Sequence, residues 1–98
     1  MPAYVVGLVR VDDPETYDRY RSRTPEVVAQ YGGRFVIRGG EPQVLEGDWP
    51  APRMVVIEFP DEAAAQRFYD SPEYQEILPI RQRASGGTLA ILPGVPQS

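Results

Sequence analysis

The 98-residue sequence contains no cysteine, no histidine and no lysine, and all ten of its basic residues are arginine. Without thiol, imidazole or ammonium groups the chain cannot form a disulfide, a thiol nucleophile, a lysine Schiff base or a Ser-His-Asp triad. The usual zinc and haem ligands are missing as well. Any catalysis must therefore use carboxylates, tyrosine, arginine, a terminal amine, or a hydroxyl without a conventional base. We expect no cofactor and no metal site.

Positive charge is also scarce. The formal net charge is −4 and the isoelectric point is about 4.7, which argues against a phosphate-binding face and hence against nucleic acid as a partner. No apolar run approaches the roughly 20 residues that span a membrane, and no charged and apolar leader opens the sequence. We expect a cytoplasmic protein that binds neither nucleic acid nor membrane.

Length and composition predict one domain over residues 1–98. Domains usually contain about 100–150 residues. The 42% apolar and 24% charged residues are typical of a soluble globular chain. Residues 93–98 contain proline and glycine, and we expect them to form a frayed tail.

Apolar patterning predicts a strand, a helix and a second strand in the first part of the chain. Residues 4–11 form a β-branched run that is too short for a typical helix. Residues 12–14 are typical of a helix start, with an aspartate cap followed by proline. We expect this helix to kink or break near Pro25 and to end at the glycines of residues 32–33. Residues 34–38 form the second predicted strand.

The rest of the chain is predicted to hold two more strands and two helical segments. Residues 43–46 could continue the second strand after a bulge or turn, and residues 47–52 form a turn-rich connector. The later elements are a strand over 53–59, a helix over 62–69, a helix capped by Ser71 that loosens at Pro79, a turn at 86–87 and a strand over 88–92.

This order, β-α-β-β-α-β, favours an α+β, ferredoxin-like fold, in which both helical regions cover one face of a four-stranded antiparallel sheet. However, the strands have apolar residues at successive positions, as in Val55, Val56 and Ile57, and so are apolar on both sides. The face without helices would then be an exposed apolar surface larger than monomers usually tolerate. We therefore expect a homodimer that packs sheet against sheet.

Residues spread over nearly the whole chain match one known family. They are Tyr20, Gly32-Gly33-Arg34, Arg38-Gly39-Gly40, Leu45-Glu46-Gly47, Glu58-Phe59-Pro60, Ser71-Pro72-Glu73-Tyr74-Gln75 and Arg81. Taken in order, they resemble the domain of unknown function 1330 family. The resemblance implies a dimeric α/β barrel, in the superfamily that includes cofactor-free monooxygenases of the antibiotic-biosynthesis type. It implies no activity, because the family is uncharacterised.

In such barrels a ligand pocket lies between the sheet and its helices, and the resemblance implies that Tyr20, Arg38, Tyr74 and Arg81 line it. For Arg38 two interpretations stay open: an ion pair with Glu58, or a bond to an anionic or carbonyl ligand. The two tyrosines either pack with an outward hydroxyl or donate a hydrogen bond to a substrate oxygen.

Other polar residues have simpler interpretations. Glu46 and Glu58 are general-base candidates if they are buried, because desolvation raises the pKa of a carboxyl group, but exposed turn and edge positions are the simpler expectation. Ser71 precedes a proline and is expected to be a helix cap rather than a nucleophile. Trp49 is either a loop anchor or a dimer contact.

Three classes of function remain open from the sequence. The first is a cofactor-free enzyme or binding protein for a small organic acid or carbonyl compound. The second is a structural or partner-binding dimer without a ligand. The third is a tautomerase in which Pro2, exposed by removal of Met1, acts as a general base.

Overall fold

The first strand is apolar on both sides, and it lies in the interior of the sheet. In the computed structural model, which describes residues 1–49 and 53–96, β1 spans Ala3–Val11. It pairs antiparallel with β3, Arg53–Phe59, on one side and with β4, Ser85–Pro93, on the other. At the edge, β2, Arg34–Arg38, pairs antiparallel with β3. The strand order is β2-β3-β1-β4, so the predicted four-stranded ferredoxin-like sheet is confirmed.

Three helices cover one face of this sheet, and each begins at a side-chain cap. They are α1, Pro14–Gln30; α2, Glu62–Asp70; and α3, Pro72–Ala84. Asp13, Asp61 and Ser71 accept hydrogen bonds from the backbone amides of the first turns, which satisfies donors that lack helical partners. The second helical region is therefore divided at Ser71, and the element order is β-α-β-β-α-α-β.

The two interior prolines do not end their helices. α1 is continuous through Pro25, and α3 continues five residues beyond Pro79 to Ala84. The predicted loosening at Pro79 and a break at Pro25 are therefore wrong, whereas the alternative of a kink at Pro25 stays a prediction. A proline removes one amide donor and leaves the carbonyl four residues earlier without its partner. At Pro25 that carbonyl belongs to Arg21, and the guanidinium of Arg38 donates a hydrogen bond of 2.6 Å to its oxygen.

The turn predicted at Gly86 and Gly87 is also wrong, because both residues belong to β4, which begins directly after α3 at Ser85. They pair with the end of β1. Gly87 has a φ of 140°, and a Cβ at this position would overlap the carbonyl oxygen of Leu8. The glycine thus serves close approach between strands rather than a reversal of the chain.

The predicted continuation of the second strand over residues 43–46 does not form. Residues 43–46 are exposed and contain no strand, and the predicted connector lies partly outside the described residues, at 50–52. The tail is held at its start, because the amide of Gly94 donates to the carbonyl of Pro2 at 2.8 Å. Residues 97–98 of the predicted frayed tail lie outside the described residues.

The core fills the space between the sheet and the helices. Ala3, Val5 and Val9 point into it from β1, and the alternate residues point away. The molecule measures 38 × 38 × 16 Å, as expected for two layers. Within the described part of the chain, no helix is long and apolar enough to cross a membrane.

None of the described residues forms a helix on the second face of the sheet. Residues that are paired directly across antiparallel strands share a face, and the register therefore places a group of mostly apolar residues together on this side. We call it the open sheet face and define it by Tyr4, Val6, Leu8, Met54, Val56, Ala90 and Leu92.

Candidate functional site

A small cavity lies between the sheet and helices α1 and α3. Helix-facing residues of the strands form its floor. In β1 these are Val5, Gly7 and Val9, and Gly7 alone of the three has no side chain. A Cβ on Gly7 would lie 3.1 Å from Cδ1 of Leu89, so glycine here leaves the floor open. The cavity volume is about 30 Å³, which is room for about one or two water molecules.

Two tyrosine hydroxyls meet in the wall of the cavity. Tyr20 comes from α1 and Tyr74 from α3, and their oxygens are 2.8 Å apart, within hydrogen-bond distance. Both side chains are buried, and the ring of Phe68 packs against Tyr74 with a centroid separation of 4.6 Å. Burial, followed by the neighbouring Tyr74, raises the pKa of Tyr20 far above its usual 10.0. Tyr20 therefore stays neutral, and the pair, after one hydroxyl donates to the other, keeps one O–H to donate.

Arg38 reaches the cavity from the last position of β2. Its guanidinium is held by the carbonyl oxygen of Arg21 and lies 4.5 Å from the ring centroid of Phe35, a cation–π geometry. Burial, and then the nearby cations of Arg21 and Arg53, lower the pKa of Arg38. An arginine nevertheless keeps its charge in proteins, so the cost of this environment remains as unfavourable electrostatic energy.

Two further arginines in the cavity wall have buried N–H groups without a partner. The Nε atoms of Arg53 and Arg81 are both buried, and neither has a hydrogen-bond partner among the described residues. Arg53 lies 5.7 Å from the ring centroid of Tyr17. Sequence analysis missed Arg53, although its alternation with Val55 and Ile57 was a signal that it faces the helices.

The cavity is electrostatically one-sided. Among the described residues that line it, the only charged ones are four arginines, which we call the arginine cluster: Arg21, Arg38, Arg53 and Arg81. Arg21 has the carboxylate of Asp18 3.8 Å away, but this pair is exposed outside the cavity. Arg21 and Arg38 are exposed and Arg53 and Arg81 are half-buried, but the buried Nε–H groups of Arg53 and Arg81 need an acceptor, and the arrangement is therefore suited to a ligand that carries negative charge or carbonyl oxygens.

Glu58 lies elsewhere, and the predicted Arg38–Glu58 ion pair is wrong. The register of β2 against β3 places Arg34, not Arg38, opposite Glu58. The Glu58 carboxylate accepts hydrogen bonds from Arg34 at 2.7 Å and from the Tyr4 hydroxyl at 3.1 Å. These bonds, Arg34 first, lower the pKa of Glu58, whereas a general base would require a raised pKa.

The remaining candidates are not part of the cavity. Glu46 is exposed in the segment after β2, so the condition of burial for a base is not met there. Pro2 lies in a separate shallow depression with Arg34, whose guanidinium is already bonded to Glu58. The hydroxyl of Ser71 accepts from the amide of Tyr74 and donates to the carbonyl of Phe68, which confirms the cap.

Trp49 is 41% exposed beside the turn that follows β2. Its neighbour Pro50 lies outside the described residues. The four residues predicted as ligand contacts, in contrast, all line one cavity: Tyr20, Arg38, Tyr74 and Arg81.

Comparison with known proteins supports the fold. A family model described as domain of unknown function (DUF1330) matches residues 2–95. Among curated proteins there is no match.

Several solved structures have a similar architecture. RPA0582, a protein of unknown function from Rhodopseudomonas palustris, is 24% identical, with a TM-score of 0.76 over 98% of this chain and 84% of its own. SnoaB, a cofactor-independent oxygenase from Streptomyces nogalater, is 16% identical, with a TM-score of 0.69 over 98% and 95%. A putative antibiotic biosynthesis monooxygenase from Bacteroides thetaiotaomicron is 16% identical, with a TM-score of 0.57 over 97% and 89%. At these identities the likeness concerns the fold alone.

Proposed function

Because the chain belongs to the family described as domain of unknown function DUF1330, whose description names no activity, we propose a function from the cavity itself. We propose that the protein binds a compact organic acid or carbonyl compound between its sheet and its helices, without a cofactor. The observation that carries this proposal is the arginine cluster: four arginines and no carboxylate are among the described residues that line one cavity.

Buried N–H groups of guanidinium favour an anion as the occupant. An unsatisfied buried donor costs about 1–3 kcal/mol, and more when the donor is charged. Arg53 and Arg81 each bring such a donor to the cavity wall. A carboxylate accepts charge-assisted hydrogen bonds that are about twice as strong as neutral ones, so binding an organic acid would satisfy donors that the protein leaves unpaired.

The tyrosine pair adds a preference for a second oxygen on the ligand. The free O–H of Tyr20 and Tyr74 can donate to a carbonyl or enolate oxygen, and the rings of Tyr17 and Phe35 offer apolar surface to the carbon skeleton. Cations and neutral donors aimed at one oxygen would also stabilise negative charge that develops there during a reaction. A cofactor-free conversion of the bound compound is therefore the catalytic form of this proposal.

The size of the cavity sets a condition for binding. At about 30 Å³ it is smaller than an aromatic acid, so a ligand must displace side chains as it enters. Long arginine side chains can move more easily than the packed strands below them. Arg21 is exposed, and Arg21 and Arg38 both border a second depression on the outer surface. We therefore place the entrance between α1 and β2.

We also propose that the protein is a homodimer that packs through the open sheet face. Leu92 is 50% exposed and Ile37 is 42% exposed, and both extend the apolar surface of that face. Burying such a surface against an identical copy would remove apolar area from water in a closed, symmetric contact. A location in the cytoplasm stays a prediction from the sequence.

NMR resonances of the arginine Nε–H groups test the ligand site directly. All ten basic residues of the chain are arginines, so these resonances report on every cationic side chain. We expect titration with benzoate or pyruvate to shift the resonances of Arg53 and Arg81. Arg53→Gln should raise the Kd about tenfold, since a charge-assisted hydrogen bond is lost. Arg67→Gln, on the exposed side of α2, is the matched control and should leave the Kd unchanged.

If neither acid moves the Arg53 and Arg81 resonances, the ligand proposal is wrong. A structural dimer without a ligand would then be the better reading. A Pro2-dependent tautomerase has the weaker case, because Pro2 lies outside the cavity and Arg34 beside it is paired with Glu58.

A further inference from the structure

In one turn of α1, two neighbouring backbone carbonyls accept hydrogen bonds from side chains. Pro25 has no amide hydrogen, so the carbonyl of Arg21 has no donor four residues later. Nη2 of Arg38, from β2, donates to that carbonyl at 2.6 Å. One residue earlier in the helix, the carbonyl of Tyr20 accepts from the hydroxyl of Thr24, also at 2.6 Å. The altered turn lies in the cavity wall.

The freed carbonyl fixes a side chain that would otherwise have many rotamers. An arginine side chain loses considerable conformational freedom when it is immobilised. Here the carbonyl of Arg21 holds one end of the Arg38 guanidinium, and the ring of Phe35 lies 4.5 Å away. Since a guanidinium has five N–H donors, one bond to the carbonyl leaves the others available at the cavity.

We propose that Pro25 is a positioning residue of the anion site: by freeing the carbonyl of Arg21, it makes that carbonyl hold the guanidinium of Arg38 toward the ligand. The inference rests on the proposed function, because Arg38 is positioned for a ligand that the cavity is argued to take. It adds a residue that does not itself line the cavity and acts through the backbone and Arg38.

The chain contains a matched control for this device. Pro79 also lies inside a helix and frees the carbonyl of Gln75 in the same way. Neither Pro79 nor Gln75 lines the cavity. A proline-to-alanine change at either position restores an amide donor and improves helix propensity, so both variants should fold.

The test compares Pro25→Ala with Pro79→Ala. We expect Pro25→Ala to raise the Kd for benzoate about fivefold, because the restored amide of residue 25 replaces Arg38 at the Arg21 carbonyl. Rotation of the Arg38 guanidinium about its Nε–Cζ bond, measured by NMR, should become faster. Pro79→Ala should change neither quantity. In an Arg38→Ala background, Pro25→Ala should have no additional effect on the Kd.

Three results would contradict the inference or separate it from the proposed function. The inference is wrong if the Arg38 guanidinium rotates at the same rate in Pro25→Ala as in the wild type. It is also wrong if Pro25→Ala still raises the Kd in the Arg38→Ala background, because the effect would then not pass through Arg38. If the wild-type protein binds no benzoate or pyruvate but Arg38 rotation still responds to Pro25→Ala, the proposed function fails while the restraint on Arg38 stands.

Discussion

At the scale of single residues, the cavity combines arginines that have no carboxylate beside them in the described lining with a buried pair of tyrosine hydroxyls. Because burial raises the pKa of Tyr20, a phenolate is disfavoured at neutral pH and the tyrosine pair acts as a donor. Arg53 and Arg81 contribute buried N–H groups without partners. Proton abstraction therefore has no obvious base among the described lining residues, and stabilisation of negative charge on a ligand oxygen is the chemistry that the side chains favour.

The tyrosine pair can be tested by a double-mutant cycle. Tyr20→Phe and Tyr74→Phe should each lower the free energy of unfolding by about 1 kcal/mol, because each leaves one buried hydroxyl without its partner. The double variant should be no less stable than either single variant, since it removes both polar groups. Urea denaturation at one fixed protein concentration measures all four proteins. Additive losses would show that the two hydroxyls do not depend on each other.

The resemblance led to four cavity residues, but the sequence could not supply their partners. One of the two interpretations of Arg38 paired it with Glu58. The choice of Arg34 instead depends on the register between β2 and β3, which a sequence without its turn geometry leaves open. Arg53 was missed because its position looked like the ordinary polar start of a strand. Whether such a residue faces solvent or a cavity depends on the helices packed above it.

At the scale of elements, a polar contact joins the two helices that carry the tyrosine pair. Glu73 in the first turn of α3 accepts hydrogen bonds from the Tyr31 hydroxyl at 2.7 Å and from Gln30 at 3.2 Å, both at the end of α1. The bond from Tyr31, followed by a backbone amide, lowers the pKa of Glu73 below its ordinary 4.5. This contact helps to fix α1 against α3 and so holds Tyr20 near Tyr74.

Glu73 should make stability depend on pH in the acid range. Because its folded pKa is lowered, the unfolded chain takes up the proton first, and the stabilisation present above pH 4.5 is lost as pH falls through the folded pKa. Tyr31→Phe should move the Glu73 pKa back toward 4.5 and reduce this loss of stability. Glu73→Gln should abolish the part of the loss that Glu73 causes. NMR titration of the carboxyl, with urea unfolding from pH 7 to 3, tests this. Equal pH slopes in wild type and both variants would contradict it.

Capping residues were predictable at this scale, whereas the effects of the interior Pro25 and of the strand residue Gly87 were not. Asp13 and Ser71 act locally, so a few neighbouring residues are enough to identify them. The effect of Pro25 depends on Arg38, which lies 13 positions further along the chain, and that of Gly87 depends on Leu8, far earlier. A pattern read along one segment has no access to such partners, and a break or turn was the local expectation in both cases.

At the scale of the whole molecule, the structure is a slab only 16 Å thick, with helices on one side and the open sheet face on the other. The core on the helix side is continuous. On the opposite side, Val6 and Val56 pair across the centre of the sheet with no element above them. The sequence already showed that the strands are apolar on both sides. The register confirms that the apolar residues that point away from the helices lie together on one surface of the sheet.

A charge on the open sheet face should prevent the proposed dimer. We expect the wild-type protein to have twice the chain mass of 11.0 kDa in size-exclusion chromatography with light scattering. Val56→Asp should shift it to one chain mass or to aggregates, because a buried unpaired charge is strongly unfavourable. Ala63→Asp adds the same charge on the exposed side of α2 and should stay dimeric. A normal dimer of Val56→Asp would refute the assembly.

The pairing of β1 with β4 has a consequence for chain connectivity. The first and last strands lie side by side from Ala3 opposite Pro93 to Val11 opposite Ser85, and the Gly94 amide bonds to the Pro2 carbonyl. A short peptide could therefore join these ends, and new termini could be opened in the exposed segment 43–46, which belongs to no strand. A circularly permuted chain of this kind would keep every strand pair and the cavity, but β3 would leave the ribosome before β1.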